Sequence, residues 1–143
     1  MPNVGGLALF CDDIRLEAGG KVSYMGIYGN DMLISGPSPV LLPKLSIAAH
    51  IQIPSSLERA NLKVLVLRDT DGNSEELISM EGEIERPPNI EVADNTFTQA
   101  ILHLNAVPFQ ITKDCDVKVR AYVDGEEFKL GTLPIRFVDQ SRE

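Results

Sequence analysis

DVKVRAYVDGEEFKLGTLPIRFV, residues 116–138, alternates apolar and polar side chains on both sides of an Asp-Gly pair. Val117, Val119, Ala121 and Val123 fall on one face and Asp116, Lys118, Arg120 and Tyr122 on the other, the pattern of a half-buried strand. Asp124-Gly125 supplies the positive-φ residues of a tight hairpin turn, so the chain returns antiparallel. The returning strand changes parity midway. Phe128 and Leu130 share a face, whereas Leu133, Ile135 and Phe137 join it only if one residue is extra. Gly131 is the natural place for that bulge, and Pro134, which has no amide hydrogen for a ladder, points to an edge strand or to the bulge itself.

The same period runs outward through the chain. In KLSIAAHIQI (44–53), Leu45, Ile47, Ala49, Ile51 and Ile53 form a core face and Lys44, Ser46, His50 and Gln52 a wet one. Further strands are expected at GLALFC (6–11), KVSYMGIY (21–28), NLKVLVLR (61–68), ELISMEGEI (76–84) and TQAILHLNA (98–106), with a short one at DMLIS (31–35). Val64 to Leu67 is apolar on both faces, which suits a central or covered strand. Helix has two footholds of about one turn each, SSLERA (55–60) and ITKDC (111–115). Turn chemistry separates the runs at AGGK, DTDGNS, ERPPN and DG, and GPSPVLLP (36–43) reads as a crossover between sheets. The expected fold is all-β: one domain over 1–143, an antiparallel β-sandwich of about seven to nine strands, with an immunoglobulin-like layout ranked ahead of a closed barrel.

Composition excludes several partners. The formal net charge of −8 and the absence of a basic cluster argue against nucleic acid and against an anionic membrane. No apolar run approaches the roughly 20 residues that span a bilayer, and MPNVGG has no signal-peptide regions, so a cytoplasmic location is expected. Cys11 and Cys115 are too few for a disulfide framework and read as reduced packing residues. No nucleophile elbow, phosphate loop, dinucleotide fingerprint or zinc-protease helix occurs, and no cofactor is expected.

Chemistry is concentrated in CDDIRLEAGGK (11–21). If GLALFC pairs with KVSYMGIY, Asp12 to Gly20 form the connection between them. Asp12 and Asp13 could then bind a hard cation, or one of them act as a general base, with Arg15 as an anion clamp; or one of them accepts hydrogen bonds from loop amides and from Arg15 as a structural corner. Adjacent residues on extended chain point opposite ways, which favours the corner. If every long strand crosses the sandwich once, the 12–20 loop shares an end with Asp124, giving Asp12, Asp13 and Asp124 as the candidate calcium set, while Asp69 and Asp71 lie at the far end. DTDGNSEE (69–76) has its glycine two places too early for a calcium loop and reads as a solvated turn. His50 and His103 sit on polar strand faces with no partner at ligand spacing and read as exposed sheet residues. Tyr24 and Tyr28, on one face of their strand, and Tyr122 are the aromatic anchors for a partner.

Cys11, Asp12, Asp13, Ile14, Arg15, Gly20, Lys21, Ser23, Gly26 and Tyr28, followed by Leu42-Pro43-Lys44-Leu45, resemble the opening of a family of uncharacterised small bacterial and bacteriophage proteins with a CDD-I-R, Gly-Lys-x-Ser, Gly-x-Tyr pattern. The resemblance is specific over the first third of the chain and carries no activity. Function is therefore expected to be non-enzymatic: binding of a protein partner or self-association, through Asp12, Asp13, Arg15, Lys21, Tyr24 and Tyr28 or through edge strands. The alternatives are a metal-dependent binding module or enzyme at Asp12, Asp13 and Asp124, and a phage-borne inhibitor of a host system.

Overall fold

A computed structural model describes residues 5–54, 57–85 and 97–138. In chain order its strands are β1 (Gly5–Cys11), β2 (Asp13–Leu16), β3 (Val22–Met25), β4 (Met32–Ser35), β5 (Val40–Leu42), β6 (Leu45–Pro54), β7 (Arg59–Thr70), β8 (Asn73–Glu85), β9 (Phe97–Ala106), β10 (Phe109–Ile111), β11 (Cys115–Val123) and β12 (Glu126–Val138). Three of them form one sheet in the order β1-β6-β9, and five form a second in the order β4-β12-β11-β7-β8. Every pairing within these sheets is antiparallel except β4 with β12. The pairs β2-β3 and β5-β10 are separate two-stranded ribbons.

The alternation that marks the strands also makes the core. Ile47, Ala49 and Ile51 of the smaller sheet are fully buried in the same apolar cluster as Val64, Val66, Val117 and Val119 of the larger one. Burying each of the larger side chains contributes about 1.5–3 kcal/mol. The parity change in the last strand is real. Val119 pairs with Gly131 and Arg120 with Lys129, so the extra residue is Leu130, one position before the expected one, and it is buried. Gly131 instead faces β1, where an added Cβ would meet Ala8 and Phe10 at ordinary contact distance. β8 carries a second bulge, at Leu77, between the pairs Val66↔Ile78 and Leu67↔Glu76. Pro134 is not on an edge strand, since β12 lies between β11 and β4; it is tolerated because β4 joins only from Ile135 onward.

Several expectations are corrected. β1 pairs with β6, not with 21–28, because the backbone bends out of the sheet at Asp12, whose amide donates to the carbonyl oxygens of Met25 (2.9 Å) and Gly26 (3.2 Å). Neither helical foothold forms among the described residues. Arg59 already belongs to β7, and Ile111 and Cys115 end and begin strands whose alternation continues through them. The expected ERPPN turn lies almost wholly outside the described residues, as do residues 55 and 56 of SSLERA. The 36–43 crossover does join the two sheets, and its β5 pairs with β10 to close one end of the sandwich. There the Arg68 guanidinium donates to the Gln110 carbonyl (2.7 Å) and lies over the Phe109 ring (5.2 Å). The count of crossing strands also fails, because β3 does not cross the sandwich. Cys11 pairs with Ser46 and Asp116 with Asp69, whereas Leu62 pairs with Val123; the Asp12 bend thus shares an end with the Asp71-Gly72 turn, opposite Asp124-Gly125.

Candidate functional site

The bend at Asp12 is built from residues of the CDD-I-R and Gly-x-Tyr segments. The Tyr28 amide donates to the Phe10 carbonyl (2.8 Å) and its hydroxyl donates to Asp12 Oδ1 (2.8 Å). Gly26 sits between them at φ 69°, with the Asp12 carboxylate against its α-carbon face, where a Cβ would fall 2.9 Å from Asp12 Cγ. Left-handed backbone and that contact both require glycine. Burial, reinforced by the Asp12 carboxylate, pushes the Tyr28 phenol up to about 12. Asp13 faces other partners: Lys44 Nζ, at the start of β6, and Arg15 Nε (3.3 Å). The Lys44 ammonium, more than Arg15, holds the Asp13 carboxyl below its usual range. Cys11 is buried and its thiol is raised by that burial, which suits packing rather than reactivity.

From this bend β2 and β3 run back over the outward face of the smaller sheet, with Glu17 donating its amide to the Lys21 carbonyl across the tip (2.8 Å). That outward face is dry where the ribbon lies: Ser46 and Ala48 are fully buried, contrary to the wet face expected from alternation. Ser46 Oγ meets its need by donating to Asn105 Oδ1 (2.7 Å). Ile14 pairs with Tyr24 on the ribbon's lower face, and the Tyr24 hydroxyl lies 2.7 Å from His50 Nε2 and 3.0 Å from His103 Nε2. Both imidazole rings stand edge-on to the phenol, with centroids 5.8 and 5.5 Å away. The Gln99 side-chain amide lies 3.2 Å from His50 Nδ1. Burial, then the neighbouring His103, lowers the His50 pKa, and burial raises that of Tyr24.

The candidate residues therefore separate by role. Asp12, Asp13, Arg15 and Tyr28 make the bend; Lys21 is exposed and lends its carbonyl to the ribbon tip; Tyr24 reaches the histidines. Tyr24 and Tyr28 do not share a strand face, because β3 stops at Met25 and Gly26 turns the chain. Asp12, Asp13 and Asp124 are not brought together. Asp124 is at the far end, accepting from the Asn61 amide (2.9 Å), and among the described residues no group of three or more His, Cys, Asp and Glu could hold a metal ion. Tyr122 donates to Glu127 (2.8 Å) on the charged outer face of the larger sheet.

Reasoning from sequence missed the histidine pair. His50 and His103 lie on adjacent strands, one diagonal step apart, since His50 pairs with Ile101 and Ala48 with His103. Their shared mid-strand place on polar faces was a signal, but one that speaks only once β6 and β9 are known to be neighbours. Beyond Tyr24 the ribbon ends in the pair Leu16 and Val22, 80% and 39% exposed, and Met25 and Ile27 are open at its base. Leu7 and Ile101, each 48% exposed, flank His50 on the sheet. No curated protein matches the chain. A family model matches residues 6–137, which takes in both sheets, the bend and the ribbon, and the chain belongs to that family, the family of unknown function DUF6941.

Proposed function

We propose that this protein is a binding or assembly module that works by protein–protein contact, with the β2-β3 ribbon as its contact element. The observation that carries this reading is the Leu16–Val22 pair. A ribbon held down by Tyr24 and the Asp12 bend presents its most exposed apolar residue, Leu16, with Val22 beside it at its free tip, where polar side chains would be the cheaper choice in water. Arg15, Glu17 and Lys21 surround the tip with charges of both signs, the polar rim such contacts have. Free backbone on the ribbon's own edges adds a route for strand addition.

Light scattering over a concentration series tests self-association, and cross-linking mass spectrometry in extract of the source cell tests a heterologous partner. The Leu16→Glu/Val22→Glu variant should lose the contact and keep its circular-dichroism spectrum. The reading fails if the wild type is monomeric throughout and no cross-link reaches residues 13–27. An inhibitor of a host system would use the same surface, and the identity of the cross-linked protein would reveal it.

A further inference from the structure

We propose that Tyr24, His50 and His103 form a binding site for one divalent first-row transition ion of the zinc type, clamped between the ribbon and the smaller sheet. Two imidazole Nε2 atoms converge on one phenol oxygen, at 2.7 and 3.0 Å. Three donors around a tetrahedral ion, with metal–nitrogen and metal–oxygen distances of about 2.0–2.1 Å, stand roughly 3.3 Å from one another. Both phenol–imidazole separations are shorter than that by a few tenths of an ångström, so the phenol must back away from the imidazoles to admit an ion. The part that must move is the ribbon, a two-stranded element attached at its base, while both histidines are fixed on paired strands of one sheet. Ligand type agrees with the ion class, because a pair of imidazoles suits zinc and its neighbours, whereas calcium and magnesium take oxygen ligands. Gln99 stands where an outer partner is needed: with its amide turned so that the oxygen faces His50 Nδ1, it accepts that hydrogen and leaves the Nε2 lone pair for the ion. All three side chains are only partly buried, so an ion can enter and retain water as its fourth ligand.

The binding step is balanced simply. Two neutral imidazoles each give a lone pair, the phenol O–H breaks, its oxygen binds the ion, and one proton leaves to solvent.

Calorimetric titration of tag-free protein with zinc chloride, in buffers of different ionisation enthalpy, tests the site. One ion per chain with about one proton released is expected. His50→Gln and His103→Gln should each weaken binding at least tenfold, and zinc should raise the melting temperature of the wild type but not of these variants. Should a histidine variant fail to fold, Tyr24→Phe carries the test, because it removes only the oxygen: binding must weaken and proton release disappear. Absence of zinc binding, binding undiminished in the histidine variants, or an unchanged proton count in Tyr24→Phe would each overturn the proposal and leave the cluster as a hydrogen-bonded latch.

Discussion

Replacing Gly26 by alanine tests the physical account of the bend, because two separable costs meet at that position. The first is backbone: φ is 69°, and a non-glycine residue in the left-handed region costs about 1–2 kcal/mol. The second is contact. The new Cβ would fall 2.9 Å from Asp12 Cγ and nearer still to Oδ2, so the carboxylate must swing away and release the Tyr28 hydroxyl. Losing that hydrogen bond, which is exposed to solvent, adds about 1 kcal/mol. Gly26→Ala should therefore lower stability by about 2–3 kcal/mol in urea unfolding, with the slope of the transition unchanged.

The cycle with Asp12→Ala separates the two costs. Without the Asp12 carboxylate the new Cβ meets the Cβ at position 12, at 3.2 Å, so Gly26→Ala should then cost little more than the backbone share, and the coupling between the two sites should be about 1 kcal/mol. A second readout is optical. Tyr28, held at about 12 by burial and by Asp12, should ionise at lower pH in the ultraviolet titration of either variant. A Gly26→Ala cost below about 0.5 kcal/mol, or one identical in both backgrounds, would show that the carboxylate does not pack on the glycine as described.

Gly6→Ala should prevent proper pairing of β1 with β6, since its Cβ would overlap the His50 carbonyl oxygen and lie 3.1 Å from Ile51 Cα; loss of several kcal/mol in urea unfolding checks this. Gly131→Ala should be near neutral, within about 0.5 kcal/mol, because its Cβ meets Ala8 and Phe10 at ordinary distances of 3.4–3.7 Å. Acid should weaken the fold below the ordinary carboxylate range: the folded-state pKa values of Asp13 and Asp69 are depressed by Lys44 and Lys118, so their contribution is full above 3.8 and is lost as pH falls through the folded values. Melting temperature against pH should accordingly flatten in Asp13→Asn/Asp69→Asn. Ile47→Ala, at a fully buried site between the sheets, should cost about 2–5 kcal/mol by chemical unfolding.

Alternation made the long strands legible, and with them the all-β class, because a half-buried ribbon leaves its period in the sequence. The hairpin at Asp124-Gly125 and the parity change before Leu133 were both readable, since turn chemistry and side-chain parity are local properties. What period two does not encode is which strands are neighbours. KVSYMGIY looks like one crossing strand, yet Gly26 breaks it and the Asp12 amide ties its end to the bend, so its tyrosines part. Every count of loop ends that relied on that crossing failed with it. Ser46 was assigned to water for the same reason: its polar character permits a second layer above it but does not announce one.

The family segments can now be assigned physical tasks. Cys11 fills the last buried position of β1; Asp12, Gly26 and Tyr28 hold the bend; Asp13 anchors its base to Lys44; and Gly20, at φ 75°, sits in the ribbon tip. All of these carry the chain out of one sheet and lay it back over that sheet's outer face. The bend's carboxylates are already engaged, Asp12 with Tyr28 and Asp13 with Lys44 and Arg15. What the bend produces is a ribbon whose lower face sets a phenol between two imidazoles and whose tip leaves Leu16 in water. The two features are mechanically joined, because Leu16 and Val22 stand two pairs beyond Ile14 and Tyr24, on the same face. Tyr24→Phe should therefore loosen the apolar tip, and faster hydrogen exchange across residues 16–22 checks this.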